Sequence, residues 1–263
     1  MAIEAVCLTM PHRPSYRKIA EAMHIGIQAC GDHSTLWDLD KGMPPPGDVG
    51  VMYGWKRNEL LRHYPRFLYG DLAYWRRDTY WKINCNGWSP DGYVRANLHP
   101  ERWERLGLDI HPVRSGGNKI IIAGSSVKSA VQHGWRYMAW ETKTAKKLQG
   151  LGFEVVYRPK PKDVAKRPIA GIAYDYGAIN WDKVHAVVTH HSNIALEALV
   201  AGVPIFCETG AAKPMSFHPD EIQSAAIPAG REQFLWDCAY LQWTLDEMKS
   251  GECWAHLKER GLV

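Results

Sequence analysis

The first part of the chain combines two periods of apolar and polar positions. Short apolar runs at residues 5–10, 49–54 and 67–71 are bounded by turn residues, and each run predicts a buried strand. Residues 16–30 repeat their apolar positions with a helical period instead. Because strands that alternate with helices are typical of parallel βαβ units, this pattern predicts an α/β fold.

The second half of the chain repeats this alternation more regularly. It predicts four further strands, at residues 119–124, 153–159, 184–190 and 203–208. It also predicts a helix over 127–149 and another that begins after Ser192 or Asn193 and ends at Gly202. The α/β pattern is therefore expected on both sides of the chain's midpoint.

The C-terminal tail has a different pattern of apolar positions. Residues 230–260 predict two amphipathic helices that divide near 250–252. The aromatic residues Trp236, Tyr240 and Trp243 follow helical spacing. A stripe of this kind is more typical of a helix packed on another domain than of a ligand site.

A turn-rich segment, HPVRSGGN at 111–118, is the best candidate for a linker. It divides the 263 residues into two parts of ordinary domain size. We therefore expect a Rossmann-like N-terminal domain over 1–112 and a Rossmann-like C-terminal domain with terminal helices over 118–263.

Composition narrows the class of protein. Apolar residues make up 46 % and charged residues 23 % of the chain, so a sizeable core is expected and a disordered tail is excluded. Apolar runs are too short to cross a bilayer, and the N-terminus is too short and too weakly basic for a signal peptide, so we expect a cytoplasmic protein. The six cysteines form no CxxC pair, which argues against a zinc site or a disulfide framework.

Residues 54–106 are rich in bases and aromatic side chains. They hold ten Lys or Arg against six Asp or Glu, interleaved with five tryptophans and five tyrosines. One interpretation is a small irregular region packed with aromatic rings. The other is a basic stacking surface for a nucleic acid or a sugar. In that case the acceptor-binding residues are Tyr74, Trp75, Arg76 and Arg77.

The stretch AVVTHHSNIALEALVAGVPIFCETG, 186–210, carries the strongest functional signal. A strand that ends at Thr189 leads into a helix, and such a helix start offers backbone N–H groups to phosphate at the edge of a parallel sheet. Ser192 and Asn193 add side-chain donors there. Glu197 is expected either to accept hydrogen bonds from two ribose hydroxyls or to face solvent.

Two neighbouring strand ends lead to the same edge. Ser125 and Ser126 follow the strand KIIIAG and form a turn rich in donors. Arg158, Lys160 and Lys162 follow the strand FEVVY and could neutralise a diphosphate. Three strand ends that supply donors or cations to one edge indicate an anionic nucleotide ligand.

These segments resemble a known family. THHSNIALEALVAGVPIF resembles the donor-nucleotide motif of GT-B-fold glycosyltransferases and related sugar-nucleotide epimerases. VYRPKPK is similar to the Arg-Pro-His-Pro loop of bacterial capsule and Kdo-type transferases, with Lys160 where that family has His. YRPKP, VVTHHSN, ALVAGVPIFCE, QWTLDEM and SGECWAHLKERGL together resemble glycosyltransferase-like proteins of tailed phages and prophages, over most of 118–263.

The resemblance implies a GT-B-like fold of two compact Rossmann-type domains with a cleft between them. It implies a nucleotide-sugar co-substrate, UDP- or CMP-linked, in the C-terminal domain, with no bound cofactor. The acceptor and any general base would come from the N-terminal half, where Asp71 ends a strand and is the preferred base. Asp38 and Asp91 are its rivals, and a retaining enzyme would need no such base.

Histidines 185, 190 and 191 raise the question of a metal. His190 and His191 alone share a turn, no acidic residue is spaced to join them, and GT-B enzymes generally need no bound metal. We therefore expect no metal. His190 and His191 are expected either to act as donors or caps at the diphosphate or to pack in the core.

The resulting function is a hexosyl- or pentosyltransferase that moves a sugar from a nucleotide-sugar to an acceptor hydroxyl. A hydroxymethyl-pyrimidine in phage double-stranded DNA is one acceptor, since a basic aromatic surface could hold an extruded base. A cell-surface glycan is the other. The alternatives are a sugar-nucleotide epimerase or hydrolase of the same fold, and a non-catalytic DNA-binding module.

Overall fold

The computed structural model describes residues 2–54, 56–87, 96–160 and 168–263. The chain forms two compact units. The first consists of Met1–Ala96 together with Asp237–Val263, and the second of Asn97–Trp236. Within the described ranges, no helix combines the length and the apolar character that a membrane crossing needs.

Eleven strands are present in the described residues. They are β1 Glu4–Thr9, β2 His33–Asp38, β3 Val49–Tyr53, β4 Arg66–Leu72, β5 Tyr80–Cys85, β6 Lys119–Ala123, β7 Glu154–Arg158, β8 Ala173–Tyr174, β9 Val184–Thr189, β10 Ile205–Cys207 and β11 Gln242–Thr244. The α-helices are α1 Pro14–Ala29, α2 Glu101–Leu106, α3 Val127–Gln132, α4 Ala139–Gln149, α5 Ile194–Val200, α6 Arg231–Ala239, α7 Leu245–Lys249 and α8 Glu252–Glu259.

The first unit is built on a six-stranded sheet in the order β2-β1-β3-β4-β5-β11. The pairs from β2 to β4 are parallel, and β5 and β11 join antiparallel at one side. All of β3 and all but the first residue of β1 are buried, as expected for parallel strands covered on both faces. The core of this unit includes the fully buried Trp243 and Trp254.

The C-terminal helices α7 and α8 pack in this first unit. A Cβ at Gly26 of α1 would lie 1.8 Å from the carbonyl oxygen of Met248, so only glycine allows α7 to approach this closely. The carboxylate of Asp32 accepts hydrogen bonds from Trp254 Nε1 and Lys258 Nζ, both at 2.7 Å, and from the amide of Ile3. These contacts place α7 and α8 firmly in the first unit.

The second unit contains a five-stranded parallel sheet in the order β10-β9-β6-β7-β8. Read from β8 to β10 and numbered along this unit, the strand order is 3-2-1-4-5, which is the order of Rossmann-like sheets. The central strand β6 is almost entirely apolar, and Ile120, Ile121 and Ile122 are fully buried. The sheet therefore has helices on both sides and its polar residues at its ends.

Most elements predicted from the sequence are confirmed within a few residues. The predicted strands at 5–10, 49–54, 67–71, 119–124, 153–159, 184–190 and 203–208 correspond to β1, β3, β4, β6, β7, β9 and β10. The predicted 127–149 helix is interrupted, because the chain turns through left-handed conformations at Gly134 and Met138 and forms α3 and α4 instead.

The expected domain boundaries, 1–112 and 118–263, differ from the observed units. The segment 111–118 is not a free linker, since Arg231 Nη2 donates to the carbonyl of His111 at 2.8 Å and Arg114 Nε donates to that of Ala201. The last 27 residues belong to the first unit.

The predicted helix through Trp243 is also wrong. Helix α6 ends at Ala239, and Trp243 lies on β11, where it pairs with Trp81 of β5. Helical spacing of three aromatic residues failed here because pairing with the edge of an existing sheet overrode it.

Candidate functional site

The carboxyl edge of the second sheet brings several predicted residues together. Strand β6 pairs with β9 on one side and with β7 on the other. The connection after β6 leads toward β7 and the connection after β9 leads toward β10, so the two connections diverge at this point of the sheet. Ala123 and Thr189 are paired at the ends of these two strands. Ligands of open α/β sheets bind outside the carboxyl ends at this kind of switch point. Ser125 and Ser126 follow one strand, and His190 and His191 follow the other.

Thr189 fixes the geometry of this edge. Its Oγ1 donates to the carbonyl of Ala123 at 3.0 Å and accepts from the amide of Ser192 at 3.1 Å. Thr189 is 1 % exposed, so the pair of hydrogen bonds locks the start of the turn to the end of β6. One consequence is that the Ser192 amide already donates within the chain.

The start of α5 offers fewer backbone amides to a ligand than the sequence predicts. Asn193 occupies the cap position, but its side chain makes no capping hydrogen bond. The amides of Ala195 and Leu196 donate to the carbonyls of Ser192 and Asn193. The predicted cradle of free amides is therefore reduced, and the side chains at the switch point become the main candidates for ligand contacts. Glu197 lies in the first turn of α5 and is half-buried.

The two serines after β6 have distinct local roles. Ser126 is the N-cap of α3, and its Oγ accepts from the amide of Ser129 at 3.1 Å. Ser125 is 4 % exposed, and its amide donates to Oε1 of Glu141 at 2.7 Å. Glu141 is itself buried on α4. A negative carboxylate thus lies directly behind this turn, so an anion is favoured on the side of Ser126 rather than of Ser125.

Three histidines form a cluster beside this turn. His190 and His191 are linked through their Nδ1 atoms at 2.8 Å, and His191 Nε2 is 2.7 Å from Oγ of Ser129. His133, at the C-cap of α3, has its ring centroid 4.8 Å from that of His190. His190 is 5 % exposed, whereas His133 lies on the surface. The cluster therefore spans the two sides of the switch point.

Aromatic rings surround the buried member of the cluster. The rings of Trp135 and Trp140 lie 4.2 and 5.8 Å from that of His190, both edge-to-face. Trp140 Nε1 donates to a carboxylate oxygen of Glu208, which follows β10. Burial lowers the pKa of His190 to about 4, with Glu208 opposing the shift and His133 adding to it. His190 is consequently neutral at pH 7 and can donate or accept a hydrogen bond.

The predicted cations after β7 are less available. Arg158 Nη1 donates to Oδ1 of Asp175 at 3.1 Å and to the carbonyl of Gly177 at 2.9 Å. Its charge is thus partly balanced by the Asp175 carboxylate, and its contact with a diphosphate stays a prediction. Lys160 is half-buried, and Lys162 lies outside the described residues.

The first unit has a second polar edge at the end of β4. The half-buried Asp71 accepts from the amide of Leu72 at 2.8 Å and is opposite Lys82 in the antiparallel pair. Burial raises the pKa of Tyr53 to about 12, and the charge of Asp71 adds to this shift. Burial and Asp71 also raise the pKa of Tyr69, so both phenols stay protonated donors near the carboxylate.

Lys82 has the opposite polarity in this second group. Loss of hydration lowers the pKa of Lys82, while the charge of Asp71 works against that shift. Its Nζ lies 5.3 Å from the ring centroid of Tyr74. The rival carboxylate Asp38 ends β2 and caps the following turn by accepting from the amide of Asp40. Asp91 lies outside the described residues.

The predicted acceptor-stacking residues are only partly on the surface. Tyr74 is 2 % and Trp75 7 % exposed, and the amides of both donate to Oε1 of Gln242. Their rings belong to the interior, which corrects the prediction that they stack on a ligand. Arg76 and Arg77 are exposed, and Arg77 Nε donates to the carbonyl of Ala73. At these two positions, the aromatic residues of 54–106 therefore pack in the interior.

Several members of the edge were missed from the sequence. His133, Trp135, Trp140, Glu141 and Glu208 come from three separate segments, and no motif spacing joins them. The only signal was their position shortly after predicted strands or inside the interrupted helical stretch. Their convergence depends on the turn between α3 and α4, which sequence periodicity did not resolve.

Comparisons with known proteins address the fold. No protein-family model matches the chain, and no curated protein matches its sequence. Among solved structures, the beta Kdo 2,4 transferase of Thermosulfurimonas dismutans KpsC matches with a TM-score of 0.54 and 11 % identity, over 93 % of this chain and 92 % of that chain. The beta Kdo 2,7 transferase of KpsC from the same organism matches with a TM-score of 0.49 and 14 % identity, over 98 % and 100 %.

Neither of these names refers to a nucleic acid or to a phage, so the predicted DNA acceptor gains no support. The first similarity extends over nearly the full length of both chains. Together with the two largely parallel sheets, it shows that this chain has a mixed α/β, Rossmann-like fold of the kind found in a glycosyltransferase.

Proposed function

We propose that this protein is a glycosyltransferase that moves a sugar from a nucleotide-sugar, UDP- or CMP-linked, to an acceptor hydroxyl. The observation that carries the proposal is the polar group at the β6/β9 switch point of a 3-2-1-4-5 sheet. The fold shared with a Kdo transferase supports it. Because that neighbour is a Kdo transferase, Kdo-type acidic sugars are the first donors to test.

The phosphate of the donor is proposed to bind between Ser126 and the histidine pair. His190 is neutral and shares a hydrogen bond with His191, and Ser129 connects the pair to α3. A phosphate oxygen held by such fixed donors is stabilised as the bond to the sugar breaks and negative charge increases on the leaving nucleotide. Glu197, in the first turn of α5, is proposed to accept hydrogen bonds from the ribose hydroxyls.

Asp71 is proposed as the general base. As the acceptor oxygen attacks the anomeric carbon, its proton passes to the Asp71 carboxylate, and the nucleotide leaves with the electron pair of the broken bond. Three neighbouring groups support a polar acceptor here: the protonated phenols of Tyr53 and Tyr69 and the amino group of Lys82. Donors around a carboxylate suit a polyhydroxylated sugar.

We propose a glycan rather than DNA as the acceptor. An extruded base needs an accessible ring to stack on, and the rings of Tyr74 and Trp75 are buried. Arg76 and Arg77 alone give a small positive surface, which favours an acidic glycan as much as a phosphate backbone.

Calorimetry with CMP, CDP and UDP tests the donor site. One of these nucleotides should bind, and Glu197→Ala should weaken that binding by about 1–3 kcal/mol because two hydrogen bonds to a carboxylate are lost. The matched control is Glu154→Ala, since Glu154 is exposed at the amino end of β7 and pairs with Lys119. Equal effects of the two substitutions would contradict the assignment of Glu197.

Transfer assays then test the reaction. Donor turnover should require an acceptor glycan and should leave plain and hydroxymethylated duplex DNA unmodified. Efficient breakdown of the donor without an acceptor would instead indicate a hydrolase or epimerase. Transfer to hydroxymethylated DNA alone would contradict the proposed acceptor.

A further inference from the structure

Three imidazoles converge at the edge of the second sheet, and the proposed transfer reaction does not require all of them. His190 and His191 follow β9, and His133 comes from the C-cap of α3. One ring nitrogen from each histidine lies within 4.8 Å of one from each of the others. The sequence raised the metal question for His185, His190 and His191, because nothing in the spacing brings His133 to the adjacent pair.

The distances are close to those of a metal centre. Around a tetrahedral Zn²⁺ with Zn–N bonds of about 2.0–2.1 Å, ligand nitrogens are about 3.3 Å apart. The Nδ1 atoms of His190 and His191 are already 2.8 Å apart. Since the three ligand nitrogens lie within 4.8 Å of one another, each separation has to shorten by no more than about 1.5 Å to reach this value. His133 is exposed at a helix end, which leaves its ring room to turn.

The surroundings resemble an outer coordination shell. Ser129 Oγ lies 2.7 Å from Nε2 of His191. When that nitrogen carries the proton and donates to Ser129, Nδ1 presents its lone pair toward His190. Ligating histidines are usually oriented by such a hydrogen bond from their other ring nitrogen. Trp135 and Trp140 cover the ring of His190 and restrict water around it.

We propose that His133, His190 and His191 form a three-histidine site for a transition-metal ion of the Zn²⁺ type, with its fourth coordination position open to an exogenous oxygen ligand. Imidazole nitrogen suits Zn²⁺, Cu²⁺ or Ni²⁺, whereas Mg²⁺ and Ca²⁺ require oxygen ligands that this group does not supply. The site lies beside the proposed phosphate position, but its existence does not depend on the proposed sugar transfer.

Zinc binding by the untagged full chain tests the proposal. Metal is first removed with a chelator, and Zn²⁺ is then titrated against a chromophoric competitor without any nucleotide. The expected result is one Zn²⁺ per chain, with affinity at least about 100-fold weaker in His133→Asn, because loss of an outer-shell partner alone can cost up to that much. Mg²⁺ should not compete.

The matched control is His99→Asn, which changes an exposed histidine of the same unit outside the cluster and should leave the affinity unchanged. Circular dichroism checks that both variants are folded, and His191→Asn provides a second test should His133→Asn unfold. As an independent readout, Co²⁺ should give the intense visible absorption of a four-coordinate ion in the wild type and lose it in His133→Asn.

No stoichiometric Zn²⁺ binding by the wild type, or equal affinity in the His133 and His99 variants, would overturn the proposal. These titrations are separate from the nucleotide calorimetry. Zinc binding without nucleotide binding would overturn the proposed function and support the metal site, and nucleotide binding unaffected by zinc removal, with no zinc site, would do the reverse.

Discussion

The polar edges of the two sheets differ in both topology and chemistry. In the first unit, the carboxyl end of β4 carries Asp71 among phenols and the amino group of Lys82. In the second unit, the ends of β6 and β9 carry hydroxyls and imidazoles, of which the buried His190 is neutral, and the carboxylate of Glu141 lies behind them. These groups suit the proposed roles of the two edges, a general base at the first and donor-phosphate binding at the second.

This contrast follows from how each sheet is completed. The second sheet is entirely parallel, so the ends of β6, β7, β9 and β10 meet at one edge and several loops supply polar groups. The first sheet adds two antiparallel strands, so Lys82 of β5 comes back beside Asp71 of β4. Asp71 and Lys82 are thus brought together by one hairpin, and the polar groups of the second edge by convergent turns.

The largest expected effect is on turnover. Asp71→Asn should lower kcat by about 10²–10⁴-fold, because a positioned general base contributes that much, while nucleotide affinity stays unchanged. Steady-state kinetics with calorimetry would separate the two. Asp38→Asn is the matched control, since Asp38 ends a strand of the same sheet but caps a turn. Similar losses in both variants would remove Asp71 from its proposed role.

The next effect concerns the interior of the first unit. Trp75→Ala should destabilise the protein by about 3–5 kcal/mol, because a buried aromatic ring is replaced by a cavity. Denaturant unfolding measures this change. A variant with wild-type stability but weaker acceptor binding would instead restore the stacking surface predicted from the sequence.

The Asp32 carboxylate makes the stability of the first unit depend on pH in acid. Burial alone would raise the pKa of Asp32, but hydrogen bonds from Lys258, Trp254 and the amide of Ile3 together hold it below its usual value. Because the folded pKa is below the unfolded value of about 3.9, this stabilisation is present above that pH and is lost as the pH falls through the folded pKa.

Asp32→Asn should accordingly cost about 3 kcal/mol at pH 7, since it removes the charge that faces Lys258. It should also flatten the loss of stability below pH 4. Unfolding curves recorded as a function of pH test both points. An unchanged acid profile in the variant would assign the sensitivity to other carboxylates.

The smallest effect is expected at the exposed arginines. Arg76→Ala and Arg77→Ala should each change stability by no more than about 0.5 kcal/mol. Their effect should appear instead as a weaker, salt-sensitive affinity for an acidic acceptor. If salt has no influence on the wild type, these arginines play no part in acceptor binding.

Local patterns predicted much of the fold but little of the assembly of the site. Seven strands and α1 followed from apolar periodicity, because buried parallel strands are almost wholly apolar. β2 and β5 were missed, since their exposed or half-buried residues include charged and polar side chains. β11 was missed because a three-residue edge strand is defined by its partner rather than by its own sequence.

The site shows the same division. Residues directly after strands, such as Ser126 and His190, could be assigned to the sheet edge because strand direction fixes them there. His133 and Glu141 could not, since their positions depend on the left-handed turn at Met138 and on how α3 and α4 pack. Ion pairing could not be predicted either, since no sequence pattern indicates that Arg158 pairs with Asp175.

Hydrogen exchange with bound nucleotide tests the central claim most directly. With saturating nucleotide, exchange should slow in the residues that follow β6 and β9, 124–129 and 190–197, and remain unchanged around β4, 66–72. Protection confined to the first unit, or no protection at either strand end while nucleotide is bound, would contradict the assignment of the β6/β9 edge as the donor site.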